Sequence, residues 1–247
     1  MTTFGGKTVF GASIGILMLN TRFPRIPGDI GHAATWPFPV QYKVVTQATP
    51  DAVVRQDATP LRDAFVDAGR ELVDLGCDGI ATNCGFLVPF QSEMSRALGV
   101  PVASSSLLQA GLISQTLPAD RSLGILTISS ETLTRSHLDA AGIAHDTPIM
   151  GTGADSHFTT RILGDAPQID FNQARADNLA AAQRLVTKHP QVGAILLECT
   201  NMVPYAADIR RLTGRPVFSI YTYLLWFQSG LLPRRYPGEL DDTRGTN

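Results

Sequence analysis

Cys84-Gly-Phe-Leu-Val-Pro-Phe and Cys199-Thr-Asn-Met-Val-Pro-Tyr stand 115 residues apart and open two copies of one pattern. Laid on one another without a gap, the copies match Cys84 to Cys199, Val88-Pro89 to Val203-Pro204, Arg96 to Arg211 and Gly99 to Gly214. Pro101-Val102 and Ser104 then meet Pro216-Val217 and Ser219, while Phe90 and Glu93 face Tyr205 and Asp208. Eight of twenty-one positions are identical, far above chance. A second echo lies upstream of each copy, where Ser13-Ile-Gly-Ile-Leu-Met-Leu19 is answered by Ser122-Leu-Gly-Ile-Leu-Thr-Ile128. The chain is an internal duplication, and a repeat of this size governs the architecture.

Outward from the repeat, each copy alternates strand and helix. The first predicts strands over 13–19, 40–45, 79–82 and 100–103, with helices over 61–75 and 89–98. The second predicts strands over 123–128, 194–197 and 216–220, with helices over 132–141, 171–188 and 204–212. Near-continuous apolar strands separated by helices make parallel sheets covered on both faces. The expected class is therefore α/β, as two pseudo-symmetric open parallel-sheet lobes of the Rossmann or flavodoxin kind, with the site in the cleft between them. Apolar segments at 107–117 and 221–232 follow the last strand of each copy and should cross between the halves. That places 1–106 plus 218–247 in the first lobe and 107–217 in the second. Residues 234–247 read as a loose polar end.

Composition narrows the function. The 247 residues are 44% apolar and 17% charged, enough to bury a substantial core and too apolar for disorder. Twenty basic against twenty-two acidic residues leave a net charge of −2 with no Lys/Arg run, so no nucleic-acid partner is expected. Three cysteines cannot close a disulfide set, which favours free thiols in a reducing cytoplasm. The apolar stretch 8–19 behind Lys7 imitates an export leader, but no small-x-small cleavage site follows, and its echo at 122–128 marks it as a buried strand. It is also too short to span a bilayer. A soluble, cytoplasmic protein with no membrane partner is the expectation.

Ligands of open parallel sheets bind beyond the carboxyl ends of the strands. Cys84 ends Gly79-Ile-Ala-Thr-Asn-Cys and Cys199 ends Ala194-Ile-Leu-Leu-Glu-Cys, so both thiols should lie there. Pro89 and Pro204 follow at the same distance and suit a first helical turn. A thiol before a helix start is expected to have its pKa lowered toward thiolate. Two such thiols facing across a cleft make a two-base device that removes a proton from one face of a carbon and delivers one to the other. A lone cysteine at a strand end is more often inert core; it is the coincidence at duplicated positions that points to chemistry. Cys77, before its strand and matched by Val192, reads as core.

The other residues carry weaker signals. Thr82, Asn83, Thr200 and Asn201 flank the cysteines and offer donors to an anionic group, or merely cap helices. Residues 20–39 follow the first strand, so Arg22 and Arg25 could hold a carboxylate bidentately and Trp36 could close the pocket; a stiff surface loop is equally compatible. Gly11-Ala-Ser13-Ile-Gly15 imitates a nucleophile elbow, but its strand follows the serine instead of preceding it. The five histidines show no metal-ligand spacing with the cysteines, and Lys7, Lys43 and Lys188 lack the setting of a Schiff-base lysine. No metal and no cofactor are expected.

Thr-Asn-Cys84-Gly and Glu-Cys199-Thr-Asn-Met-Val-Pro, set in a duplicated α/β chain, resemble the aspartate/glutamate/hydantoin racemase superfamily over nearly the whole length. The second motif is close to the family's Cys-Thr signature, whereas in the first the asparagine precedes the cysteine. The resemblance implies Cys84 and Cys199 as paired acid and base, Asn83, Thr200 and Asn201 as carboxylate contacts, independence from pyridoxal phosphate, and a homo-oligomer, dimer or larger. It implies first a racemase acting on a small carboxylate of the aspartate or glutamate type. The superfamily also holds lyases that split dimethylsulfoniopropionate into dimethyl sulfide and acrylate, because removing a proton α to a carboxylate also starts a β-elimination. Arylmalonate decarboxylases keep one cysteine of the two, so the pair here points away from that branch.

Overall fold

The computed structural model describes residues 5–236. The first half runs β1 (Ile14–Leu19), β2 (Val40–Val45), α1 (Pro50–Val54), α2 (Arg62–Asp74), β3 (Gly79–Thr82), α3 (Gln91–Leu98) and β4 (Val102–Ala103). The second runs α4 (Ala110–Thr116), β5 (Ser122–Thr127), α5 (Arg135–Ala140), β6 (Ile149–Gly151), α6 (His157–Leu163), α7 (Phe171–Lys188), β7 (Val192–Leu197), α8 (Ala206–Thr213), β8 (Val217–Phe218) and α9 (Ile220–Leu231). Among the described residues these strands form two four-stranded sheets, ordered β2-β1-β3-β4 and β6-β5-β7-β8, every pair parallel. The duplication read from the cysteine motifs thus extends to strand order, giving two α/β lobes.

β1 is buried at all six positions, as a central strand covered on both faces must be, which is why it reads as an unbroken apolar run. α3 and α8 end in the same way, on Gly99 and Gly214, each with φ of 68°. That left-handed conformation suits glycine and stops each helix at the turn into β4 or β8. α4 packs beside β5 in the second lobe. α9 returns the other way, and its Ile220, Leu224 and Phe227 share a buried cluster with Ile14, Ile16, Ala81 and Ala103 of the first sheet.

The differences from the sequence reading fall where local signals are weak. The prolines Pro89 and Pro204 do not open α-helices; they lie inside 3₁₀ segments, Gly85–Phe90 and Thr200–Tyr205, that precede α3 and α8. The helix expected from 132 begins at Arg135, because Thr134 caps it through a reciprocal pair of bonds with His137. β4 and β8 shrink to two residues each at the sheet edges. α1, β6 and α6 have no counterpart in the sequence reading; each is short, and neither period is visible over so few residues. No helix among the described residues is long and apolar enough to cross a membrane. The polar end expected over 234–247 lies outside the described residues from 237 onward.

Candidate active site

The site forms where β3 and β7 end. Cys84 leaves β3 in extended conformation, with φ of −143°, and Cys199 leaves β7 with ψ of 125°. Each then starts its 3₁₀ segment through its own carbonyl, which accepts from Leu87 N in one lobe (3.2 Å) and Met202 N in the other (3.1 Å). Both thiols line one narrow cleft between the lobes, about 370 Å³ including its open mouth. Cys77 is buried at the start of the strand, away from this cleft.

The electrostatics overturn one expectation. Burial pushes the Cys84 thiol up, the Glu198 carboxylate pushes it further, and the Phe86 N–H and Arg25 only partly oppose them. Cys199 is likewise raised well above the ordinary thiol value, by burial first and Glu198 second, against a single favourable N–H from Asn201. The N–H groups expected to favour thiolate are present, but a short 3₁₀ turn supplies few of them, and desolvation wins. The resting site holds two neutral thiols.

Of the sequence candidates, Arg25, Asn83, Thr200 and Asn201 line the cleft with the cysteines. Asn83 Oδ1 accepts from Leu19 N (2.8 Å), and Thr200 Oγ1 donates to the Asn83 carbonyl (2.7 Å), tying the two cysteine turns together across the lobes. Asn201 Nδ2 donates to Asp29 Oδ2 (2.6 Å), leaving its Oδ1 at 3.6 Å from Cys199 Sγ. Arg25 does not stand free to clamp a carboxylate, since Nη1 donates to Asp29 Oδ1 at 2.6 Å with both side chains largely buried. The remaining candidates stand elsewhere. Arg22 is three-quarters exposed and pairs with Asp165 (3.2 Å), an exposed contact of little energy. Trp36 is core: it stacks on Phe38 and Tyr221 and donates from Nε1 to the Ile30 carbonyl. Thr82 is fully buried behind the turn, donating from Oγ1 to the Ser104 carbonyl (2.6 Å). Trp36 and Thr82 are corrected to buried structural positions and Arg22 to an exposed one outside the cleft lining, because a side chain next to a site in sequence can face the opposite side of its strand or loop.

Two residues of the site were missed. Glu198 lines the cleft at 1% exposure, with its pKa raised by burial to about 7 against a weaker opposing bond from Thr127. Its signal was legible, an acid closing the apolar run Ala194-Ile-Leu-Leu-Glu198. Asp29, 4% exposed, orients both Arg25 and Asn201 and had no such signal in its irregular loop. The rest of the cleft lining is largely apolar and aromatic, with Leu19, Phe23, Val54, Phe86, Ile128 and Ile162.

Two lobes of this kind, meeting at a shared cleft, make a fold also found in solved racemases and a decarboxylase. Solved structures of that fold superpose on the chain: unliganded arylmalonate decarboxylase (TM-score 0.57, 15% identity, 92% of this chain and 96% of that one) and Picrophilus torridus aspartate racemase (TM-score 0.55, 15% identity, 92% and 96%). Glutamate racemase from Francisella tularensis does so as well (TM-score 0.55, 12% identity, 92% and 85%). In sequence the chain is 26% identical over 235 residues to a dimethylsulfoniopropionate lyase of Durusdinium sp. clade D, covering 90% of this chain and 75% of that protein. It is 28% identical over 223 residues to dimethylsulfoniopropionate lyase 5 of Emiliania huxleyi, covering 85% of this chain but only 44% of that longer protein. No family model matches the chain.

Proposed function

We propose that the protein is a lyase that cleaves dimethylsulfoniopropionate to dimethyl sulfide and acrylate. The observation that carries this reading is the polarity of the cleft. Beside Cys84, Cys199 and the polar groups next to them, most of the lining is apolar or aromatic. An amino-acid ammonium placed against that wall would lose its water with nothing to replace it. A sulfonium wrapped in methyl groups fits apolar walls and aromatic faces such as Phe86. The likeness to lyases over 90% of the chain supports the same choice.

The chemistry needs one thiolate beside the carbon α to the carboxylate. A sulfonium entering a dry cleft brings a positive charge that opposes the effect of burial and favours ionisation of the neighbouring thiol. The thiolate takes the α-proton, and the C–H electron pair becomes the carbon–carbon double bond. The C–S bond breaks with its pair, dimethyl sulfide leaves neutral, and acrylate keeps the carboxylate charge. The thiol's own proton goes to solvent when the thiolate forms, and the proton taken from carbon restores the neutral thiol of the resting site.

A racemase of the aspartate or glutamate type is the second reading. One observation favours it: two thiols reach the same cleft from opposite lobes, which an inversion needs and an elimination does not. Headspace chromatography for dimethyl sulfide, run beside chiral analysis of L-aspartate, L-glutamate and a 5-substituted hydantoin, separates them. Dimethyl sulfide without inversion is expected. Inversion of any of the three without dimethyl sulfide would overturn the lyase in favour of the racemase.

A further inference from the structure

Glu198 is a shielded acid with half of its hydrogen bonding unmet. Oε2 accepts from Thr127 Oγ1 at 2.8 Å. Oε1 is closed off from water and has no hydrogen-bond partner among the described residues. The carboxyl stands on the cleft wall beside both cysteines and rests against Gly85, where any side chain would collide with Oε1. In the duplicated frame, residue 198 is the counterpart of Asn83, whose Oδ1 is committed to Leu19 N and whose NH₂ is the end left for a ligand. An amide and an acid therefore occupy equivalent places on the two sides of one cleft.

The charges facing Glu198 leave little to hold a carboxylate. Arg25 and Asp29 neutralise one another at 2.6 Å, and Cys84 and Cys199 are neutral thiols at rest. β5 contributes only Thr127, and the segment Ser106–Gln109 packed behind it carries no ionisable group. A carboxylate entering this space meets no free cation among the described residues. Two carboxylates in a dry cavity share one proton more readily than both ionise.

We infer that Glu198 is the carboxylate-binding residue of this site: in its neutral form it donates a hydrogen bond from Oε1 to the substrate's carboxylate, opposite the Asn83 amide. The inference rests on the reading that the substrate carries a carboxylate beside the acidic carbon. As the α-proton leaves, negative charge grows on the same oxygens, where a donor already in place stabilises it without reorganisation.

Propionate tests this directly, since it has the carboxylate but no leaving group. Its binding is followed by titration calorimetry in two buffers of different ionisation heat at about pH 8, where most Glu198 is ionised in the free protein. The wild type should take up close to one proton per propionate bound. Glu198→Gln, whose amide donates without titrating, should bind with no uptake and with affinity within about threefold of the wild type at about pH 6. Glu198→Leu should bind at least about tenfold more weakly at either pH. Equal proton uptake by the wild type and the Gln variant would overturn the inference, as would unchanged affinity in the Leu variant. Thermal unfolding verifies each fold, and the near-isosteric Gln variant decides alone if Leu does not fold. Dimethyl sulfide release without propionate binding would sink the inference and spare the lyase. Propionate binding with proton uptake but no dimethyl sulfide would do the reverse.

Discussion

Asn83-Cys84-Gly85 and Glu198-Cys199-Thr200 are the same turn built twice, and they differ at every position but the sulfur. The frame is symmetric: the same strand order leads into each turn, and the same left-handed glycine closes each following helix. The contents are not. The first turn carries an amide and a glycine, the second an acid and a hydroxyl, and each difference answers the other across the cleft. Gly85 makes room for the Glu198 carboxyl, and Thr200 reaches back to the Asn83 carbonyl. The Arg25 charge favours the Cys84 thiolate, while Asp29 disfavours that of Cys199, whose Sγ faces Asn201 Oδ1. Duplication supplies two equivalent thiols; divergence around them gives the site a direction.

The comparison can be broken most forcefully at the sulfurs. One of Cys84→Ser and Cys199→Ser, the variant that removes the base, should lower dimethyl sulfide release by about 10³-fold, the middle of the range for a proton-transfer group, while Cys77→Ser keeps most of it. Full activity in both of the first two would end the cysteine's role as base. Next in size is Asp29→Ala, which strands a buried Arg25 and frees Asn201, and should destabilise the protein by about 3 kcal/mol in urea unfolding. Asn83→Ala, on the other turn, removes one bond to Leu19 N and should cost about 1 kcal/mol in the same assay.

The acid itself gives a pH-dependent difference. Glu198 has a folded-state pKa of about 7, above its ordinary 4.5, so the folded protein holds this proton more tightly than the unfolded chain. Its favourable contribution is complete below the ordinary value and is lost as pH rises to about 7. Glu198→Gln escapes that loss and should exceed the wild type in stability by about 3 kcal/mol at about pH 8, with no advantage near pH 4. Equal gains at both pH values would contradict the shifted acid. A further contrast is steric: Gly85→Ala should destabilise by about 2 kcal/mol and displace the Glu198 carboxyl. Thr200→Ala, losing one cross-lobe bond, should destabilise by about 1 kcal/mol.

How much of this was legible follows from where the information lies. Strands β1, β3 and β7 and helix α7 are announced by long runs of one period, and the cysteine turns by an ungapped repeat. Two of the site's determinants are tertiary. Asp29 reaches Asn201 across 172 residues of chain, and no local pattern encodes that approach. The thiols' protonation was misread for the same reason: the dipole at a helix start is a local property, whereas the desolvation that outweighs it depends on both lobes closing. Trp36 and Thr82 were placed by proximity along the chain, although their side chains turn into the first lobe's core. Glu198 alone was visible and passed over, as an acid at the end of a strand that is otherwise wholly apolar.

The central claim is that a cysteine of this cleft takes the proton α to a carboxylate and so expels dimethyl sulfide from a sulfonium. Proton NMR of dimethylsulfoniopropionate incubated with the protein in D₂O tests it in one tube. The account predicts vinyl signals of acrylate growing as the substrate's methylene signals fall. A spectrum in which the substrate is unchanged, with no vinyl signal and no loss of the α-proton, would contradict it.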